Sequence, residues 1–308
     1  PWLRHHLFRH GDVARNRQPG ERAGFCEAAD LLRRAPAHGP ADRPTACAQA
    51  HRQQRVFLDG PPLGLGACGA RSGQADQQAP GLHPRGQGGA LTIGAGLTYT
   101  ELMDPSIAGL VPALAEASRT VGSPQIRNAG TLGGNLGTSS PAGDGLPVLS
   151  ALNAVVHLAA SGSTRDVDVN DFMVGVKRTA LEPGEIITGV TVPVVDGWQG
   201  YAKVGVRNAM VIAVASTCIV VDRAHRTIAV ALGSVGPTIL RCLDAEFFLA
   251  ERLDWDSLIV SDADQAEFGR LVSAASQPIT DHRSTADYRR HAVGVLARRL
   301  ARRAGAAS

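Results

Sequence analysis

The sequence predicts an α+β fold, on three observations. Strand-like and helix-like segments arrive in blocks rather than in strict alternation, which points away from a doubly wound parallel sheet. Short alternating or apolar runs bounded by polar turns recur between residues 91 and 235. Two stretches with helical spacing, Asp262 to Ser276 and Ser284 to Arg303, close the chain. The composition divides the chain into residues 1–88, 89–196 and 197–308.

Residues 1–88 are rich in Arg, His, Gln, Pro, Gly and Ala. Their only valines are Val13 and Val56, and they hold no isoleucine. Strands need β-branched and aromatic residues to cover a pleated, half-buried surface, so this segment can hardly build a sheet. A short helix over Glu27 to Arg34 is the one periodic element. The abrupt change at 88/89 has the form a reading-frame shift in a GC-rich gene would leave. Pro1 stands where a Met is expected, so the true start is taken to be missing or misassigned.

From Leu91 onward the texture is that of a globular protein. Leu91 to Gly96 is a strand. Thr98 and Glu101 have the spacing of a capping box. Asp104 before Pro105 reads as an N-cap followed by proline at the first helical position. The helix so opened places Ile107, Leu110, Val111 and Leu114 on one face. Asn153 to Ala159 is a strand that turns at Ser161-Gly162-Ser163 into Thr164 to Val169. There Val167 and Val169 alternate with Asp166 and Asp168. Ile186 to Val192 is another strand.

Residues 200–240 read as an antiparallel meander, with strands over Met210 to Val221 and Thr227 to Val235. In the first closing helix Phe268, Leu271 and Val272 share a side. The second begins with a Ser284/Asp287 capping box. It buries Ala292, Val295 or Leu296, and Leu300, and it ends in arginines and Gly305.

Composition excludes several functions. A net charge of +3 with 4% aromatic residues supplies neither a basic stripe nor a stacking platform for nucleic acid. The arginines of the last helix (Arg289, Arg290, Arg298, Arg299, Arg302 and Arg303) read as a solvated face or a subunit contact. Cys26, Cys47, Cys68, Cys218 and Cys242 are scattered and form no CxxC pair, so zinc and iron–sulfur sites are not expected here. The odd, dispersed set predicts a reduced, cytoplasmic protein. No apolar run is long enough to span a membrane, and no signal peptide is visible.

The most informative stretch is Val121 to Leu152. Its centre, Thr131-Leu132-Gly133-Gly134-Asn135, lies between a helix and an apolar segment. Adjacent glycines let a backbone approach a ligand closely. Successive N–H groups in such a turn can form an anion-binding nest, suited to a dinucleotide diphosphate. Asn135, Thr131, Ser139 and Ser140 add neutral donors, and Asp144 can accept from sugar or ribityl hydroxyls. Residue chemistry alone leaves an ordinary turn as the alternative. The loop is neither a Rossmann fingerprint nor a P-loop.

Read as a whole, the string resembles the FAD-binding domain of molybdopterin dehydrogenases. The resemblance rests on Gln125-Ile126-Arg127-Asn128, Gly130 to Asn135, Ser140-Pro141, Asp144, Pro147, Leu149 and Ala151-Leu152. The segments LTIGAGLTYTELM before it and PGEIITGVTVP after it are also similar to the family, as is Tyr201-Ala202-Lys203-Val204. Coverage is about residues 89–303. The family is that of the FAD-binding medium subunits of molybdenum hydroxylases, including xanthine dehydrogenase and aerobic carbon monoxide dehydrogenase.

The resemblance implies a PCMH-type FAD-binding domain followed by a smaller α+β domain of the carbon monoxide dehydrogenase flavoprotein C-terminal type. Thr131, Leu132, Gly133, Gly134 and Asn135 would cradle the FAD diphosphate, with Ser140 beside them. Asp144 would bind the hydroxyl-bearing chain; its alternative is a helix N-cap. Ile187 would give backbone and apolar contacts. Lys203 would lie near the isoalloxazine; its alternative is a solvated strand lysine. Arg127 would pair with a phosphate or with a core carboxylate. The partners implied are a molybdenum-cofactor large subunit and a [2Fe–2S] small subunit. Electrons would pass from the clusters through FAD to NAD+ or another acceptor.

The family's second glycine-rich motif, AGGTD near the N-terminus, is missing. Residues 1–88 offer only Gly64-Leu65-Gly66 and Gly88-Gly89. A stand-alone FAD oxidase of the same fold, and a degenerate subunit that binds no FAD, are therefore the alternatives. His157, a possible covalent attachment point for an oxidase flavin, is read as structural.

Overall fold

The structure, a computed structural model, describes residues 89–307. The expectations for residues 1–88, including the short helix and the missing sheet, lie outside the described residues.

The first half begins with β1 (Ala90–Gly94) and a 3-10 turn over Glu101–Met103. The Thr98 capping box forms as expected, with Glu101 Oε2 accepting from the Thr98 N–H at 2.8 Å. Asp104 then caps α1 (Pro105–Ala108) by accepting from the Ser106 N–H. The expected single helix stops there, and a second, α2 (Pro112–Arg119), follows. Pro112 is the reason: it lacks an N–H and crowds Val111, which takes φ −132, ψ 68 outside the helical region. Ile107, Val111 and Leu114 still reach the core, but Leu110 is left exposed.

Three further helices, α3 (Pro124–Ala129), α4 (Leu132–Thr138) and α5 (Leu146–Ala151), lead to β2 (Val155–Ala160) and β3 (Ser163–Asp168). The strand β3 ends one residue earlier than expected. Asp168 turns the chain by accepting from the Asn170 N–H, so Val169 opens α6 (Val169–Phe172). The last strand of this half is β4 (Ile186–Pro193). The four strands form one antiparallel sheet in the order β1-β4-β2-β3. Its inner face, through Val156, Leu158, Val190 and Val192, packs on Leu132, Leu136 and Leu149 of the helices.

The second half is the expected meander. β5 (Gly197–Val204), β6 (Ala215–Asp222), β7 (Thr227–Gly233) and β8 (Leu240–Arg241) pair in sequence order, all antiparallel. Residues 210–214 are loop rather than the start of β6. Met210 sits at φ 51, and Met210 and Ile212 are exposed; only Ala213 and Val214 are buried.

Three helices back this sheet: α7 (Leu243–Arg252), α8 (Asp262–Ala275) and α9 (Ala286–Ala306). The sequence gives little sign of α7. Its cap residue, Cys242, accepts no capping bond, it buries only Ala245, Glu246 and Leu249, and Phe247 faces outward. The cap of α9 is Thr285, accepting from the Tyr288 N–H, and not Ser284, whose own N–H is held by Asp281. Leu296, rather than Val295, is the buried member of its pair.

The terminal arginines are not one solvated face. Arg289 is 3% exposed. Its Nη1 donates to Val214 O and Ser234 O, and its Nη2 to Asp281 at 2.6 Å. Arg303 reaches back to Glu116 of α2 at 2.7 Å and lies over the Trp198 ring. The first core is also shared between the halves, since Tyr201, Cys218, Val220 and Ala231 join its cluster.

Candidate functional site

The glycine-rich loop is where α4 begins, and Thr131 caps it. Its Oγ1 accepts from the Gly134 N–H at 3.1 Å. The Leu132 N–H donates to Leu97 O at 3.0 Å, and the Gly133 N–H to Ala95 O at 2.8 Å. The Asn135 N–H donates to Thr131 O at 3.1 Å. All four amides expected to form an anion nest are thus already engaged within the chain. The reason is geometric: the loop lies against the chain leaving β1 and spends its amides holding α4 there. Gly133 is glycine for the same reason. A Cβ at this position would stand 2.7 Å from Ala95 Cβ and 2.9 Å from Ala95 O.

What the loop leaves for a ligand is its side chains. Asn135 Oδ1 is buried without a partner, and its Nδ2 has none among the described residues. The hydroxyls of Thr131 and Ser140 accept from Gly134 and Ala142 N–H groups and keep their own O–H to donate. Hydroxyl and amide donors of this kind suit the phosphate oxygens and hydroxyls of a dinucleotide. Leu132 is fully buried and supports the loop by packing. Ile187 of β4 is also buried, and its Cδ1 would lie 3.8 Å from a Cβ placed on Gly137, so it forms part of the floor beneath α4.

Asp144 and Lys203 meet each other. The Lys203 Nζ donates to Asp144 Oδ2 at 2.7 Å, to Thr120 O at 2.8 Å and to Val211 O at 3.1 Å. The other Asp144 oxygen accepts from the Tyr201 hydroxyl at 2.8 Å. The Asp144 and Lys203 side chains are 9% and 8% exposed, so this is an interior ion pair. Burial pushes the Asp144 carboxyl above its ordinary range, and Lys203 and Tyr201 oppose that shift. Asp144 is not a helix cap, because Gly145 holds that position in α5. Lys203 is not a solvated lysine. Both instead tie the first half to β5.

Tyr201, missed in the sequence, is the third member of this cluster. The signal was available: residues 201 and 203 are two apart on a strand and share a face. Burial first, and the Asp144 charge second, raise the hydroxyls of Tyr201 and Tyr99 well above their ordinary range. Glu116 was missed as well. It accepts from the Tyr201 N–H at 2.8 Å, and nothing local in α2 marks it for that role. Arg127 Nη1 donates to Val121 O and Gly122 O, and Arg127 pairs with no carboxylate among the described residues. His157 is bonded through both ring nitrogens, to Asp166 and to Thr191.

Two family models match the chain, in the order seen in the fold. Residues 83–195 match the FAD binding domain in molybdopterin dehydrogenase. Residues 201–304 match the CO dehydrogenase flavoprotein C-terminal domain. The glyceraldehyde dehydrogenase medium chain of Sulfolobus acidocaldarius is 33% identical over 210 residues, covering 67% of this chain and 73% of that protein. The chain belongs to this family. It is an FAD-binding medium subunit of the molybdopterin dehydrogenase type, an oxidoreductase component. The carbon monoxide dehydrogenase medium chain of Afipia carboxidovorans is 30% identical over 228 residues, covering 72% of this chain and 77% of that one. Among solved structures, reconstituted CO dehydrogenase from Oligotropha carboxidovorans superposes with a TM-score of 0.64 at 29% identity, over 71% of this medium subunit and 76% of that chain. The first family match begins close to the composition break at 88/89.

Proposed function

We propose that this chain binds FAD and serves as the electron-transfer subunit of a molybdenum-containing hydroxylase. The observation that carries the reading is Asn135, whose amide has no partner in a loop where every neighbouring N–H is engaged. With the hydroxyls of Thr131 and Ser140 it offers the donors a dinucleotide needs. Ile187 supplies an apolar floor. The Asp144–Lys203–Tyr201 cluster positions these groups by locking the loop after α4 to β5. Its two charges are spent on each other and on the chain, so the cluster acts by holding the loop in place. When bound, FAD takes up electrons that originate at partner centres and hands them to NAD+ or another acceptor. Those centres, molybdenum and [2Fe–2S], are assigned to a large and a small partner subunit, since the scattered cysteines of this sequence suit neither.

A stand-alone oxidase with a covalent flavin is the weaker reading. The two described cysteines, Cys218 and Cys242, are both buried and unbridged. Burial raises both thiols, that of Cys242 to about 12, so neither offers a thiolate for a flavin bond.

The test is a titration of FAD into the flavin-free full chain, followed by quenching of flavin fluorescence. Saturable quenching is expected, and Asn135→Leu should weaken it by about tenfold, the worth of one or two good hydrogen bonds. Unchanged binding in that variant, with its circular dichroism intact, would remove Asn135 from the site.

A further inference from the structure

A cavity of about 300 Å³ lies between the Ser140–Ala142 loop, the turn at Val176-Lys177 and the second half of the chain. Lys177, Arg283 and Arg289 line it together with one carboxylate, Asp281. Asp281 is already spent on the arginines, at 2.6 Å from Arg289 and 3.2 Å from Arg283. Burial works against its charge, but the N–H groups of Arg283 and Ser284 and the Arg289 guanidinium hold its carboxyl well below the ordinary range. Three cations therefore face one neutralised anion.

Their donors are not used up. Arg289, almost fully buried, engages both Nη atoms but leaves Nε without a partner, and Arg283 Nε is likewise buried and unpartnered. Lys177 is exposed at the rim, and its ammonium has no protein partner among the described residues, so the buried orphans are the two Nε atoms alone. Orphan buried donors are costly, and each calls for an explanation.

The walls are preformed. The Lys177 N–H donates to Ser139 O at 3.1 Å, and the Ser234 N–H to Pro141 O at 2.7 Å. The Gln277 N–H donates to Val235 O at 2.7 Å. Ser139, Lys177 and Ser234 all hold left-handed backbone, at φ 42, 54 and 65. Such strain is rare away from glycine and persists where surrounding structure imposes it, commonly at ligand sites. Val176 and Ile279 add apolar surface to the lining.

We propose that this cavity is a binding site for a small organic anion, a phosphate or carboxylate carried on a compact apolar body. The volume is at the lower end for small-molecule pockets and exceeds what a bare ion fills. Arg289 is too deeply buried to be met by a flat protein surface, which favours a small molecule over a partner's acidic side chain. The site does not depend on FAD, although it shares Ser140 with the proposed cofactor loop.

Isothermal titration of the full chain, at low ionic strength, tests this with phenyl phosphate, benzoate and neutral benzyl alcohol. One of the two anions should bind saturably at one site per chain, and benzyl alcohol should not. The tighter anion identifies the head group. Lys177→Gln and Arg283→Gln should each weaken binding by about tenfold, as expected for a lost charge-assisted hydrogen bond. Lys177→Gln should leave the thermal unfolding midpoint unchanged, Arg283→Gln should keep the parent's circular dichroism, and the exposed control Arg298→Gln should leave binding unchanged. Saturating FAD should leave the anion affinity unaltered. The proposal is overturned if neither anion saturates, if benzyl alcohol binds equally, if the two variants bind like the parent, or if FAD abolishes binding. The anion titration reads out whether or not FAD binds, so failure of one assignment is distinguishable from failure of the other.

Discussion

Lys203→Met should destabilise the chain by about 3–5 kcal/mol at neutral pH, the typical cost of leaving one member of a buried ion pair uncompensated. The methionine fills similar space but offers nothing to Asp144 Oδ2, Thr120 O or Val211 O, all of which Lys203 now satisfies. The loss should depend on pH in a defined direction. Burial already lifts the Asp144 carboxyl, and removing Lys203 lifts it further. The folded variant then binds a proton more readily than the unfolded chain, whose aspartate titrates at about 3.9. Its stability must therefore fall as pH rises through the folded-state value and recover as pH drops toward the unfolded one. Urea unfolding of parent and variant across that range checks this. The double variant Asp144→Asn, Lys203→Met should regain much of the loss, because a neutral amide can still accept from Tyr201. A pH-independent deficit would mean that packing, not charge, is what Lys203 provides.

Gly133→Val should cost about 3 kcal/mol, the upper part of the usual range for overpacking. A single Cβ already falls within contact of Ala95 Cβ and the Ala95 carbonyl, and a backbone atom cannot swing aside as a side-chain tip can. The α4 helix would have to lift from the chain after β1, breaking the Gly133-to-Ala95 bond and moving Thr131 and Asn135 together. FAD retention should fall along with stability. Gly137→Ala is the matching control, since its Cβ would meet only Ile187 at an ordinary contact distance. If Gly133→Val unfolds like the parent, the close helix–strand approach is not what the glycine serves.

Much of the fold was legible because its signals are local. The β2–β3 hairpin follows from Ser161-Gly162 between two strand patterns. The Thr98–Glu101 capping box and the Asp104-Pro105 helix start need only residues within one turn. The errors arose where tertiary context decides. Ile107 to Leu114 has helical spacing, yet Pro112 divides it. Met210 to Val214 is apolar enough for a strand, yet Met210 takes left-handed backbone and the carbonyls of Val211, Ala213 and Val214 are held by side chains rather than by a strand. The α7 helix has no capping bond at Cys242 to mark its start, and Phe247 on it faces solvent.

At the site, residue types were readable and partnerships were not. Asp144 and Lys203 each bear a recognisable mark in sequence, but nothing over their separation of 59 positions says that they bond to each other. The Thr131–Asn135 glycines suggested free amides. Only the position of Ala95 and Leu97 shows those amides engaged, leaving the binding chemistry to side chains.

The most direct test of the central claim is the FAD content of the full chain as purified, released by denaturation and quantified against protein. A stoichiometry approaching one FAD per chain is expected, with the visible absorbance bands of oxidised flavin. Asn135→Leu should lower that ratio while the protein stays folded. A colourless protein that remains so after incubation with FAD would contradict the claim. The Thr131–Asn135 loop would then be a structural element inherited from the family without its cofactor.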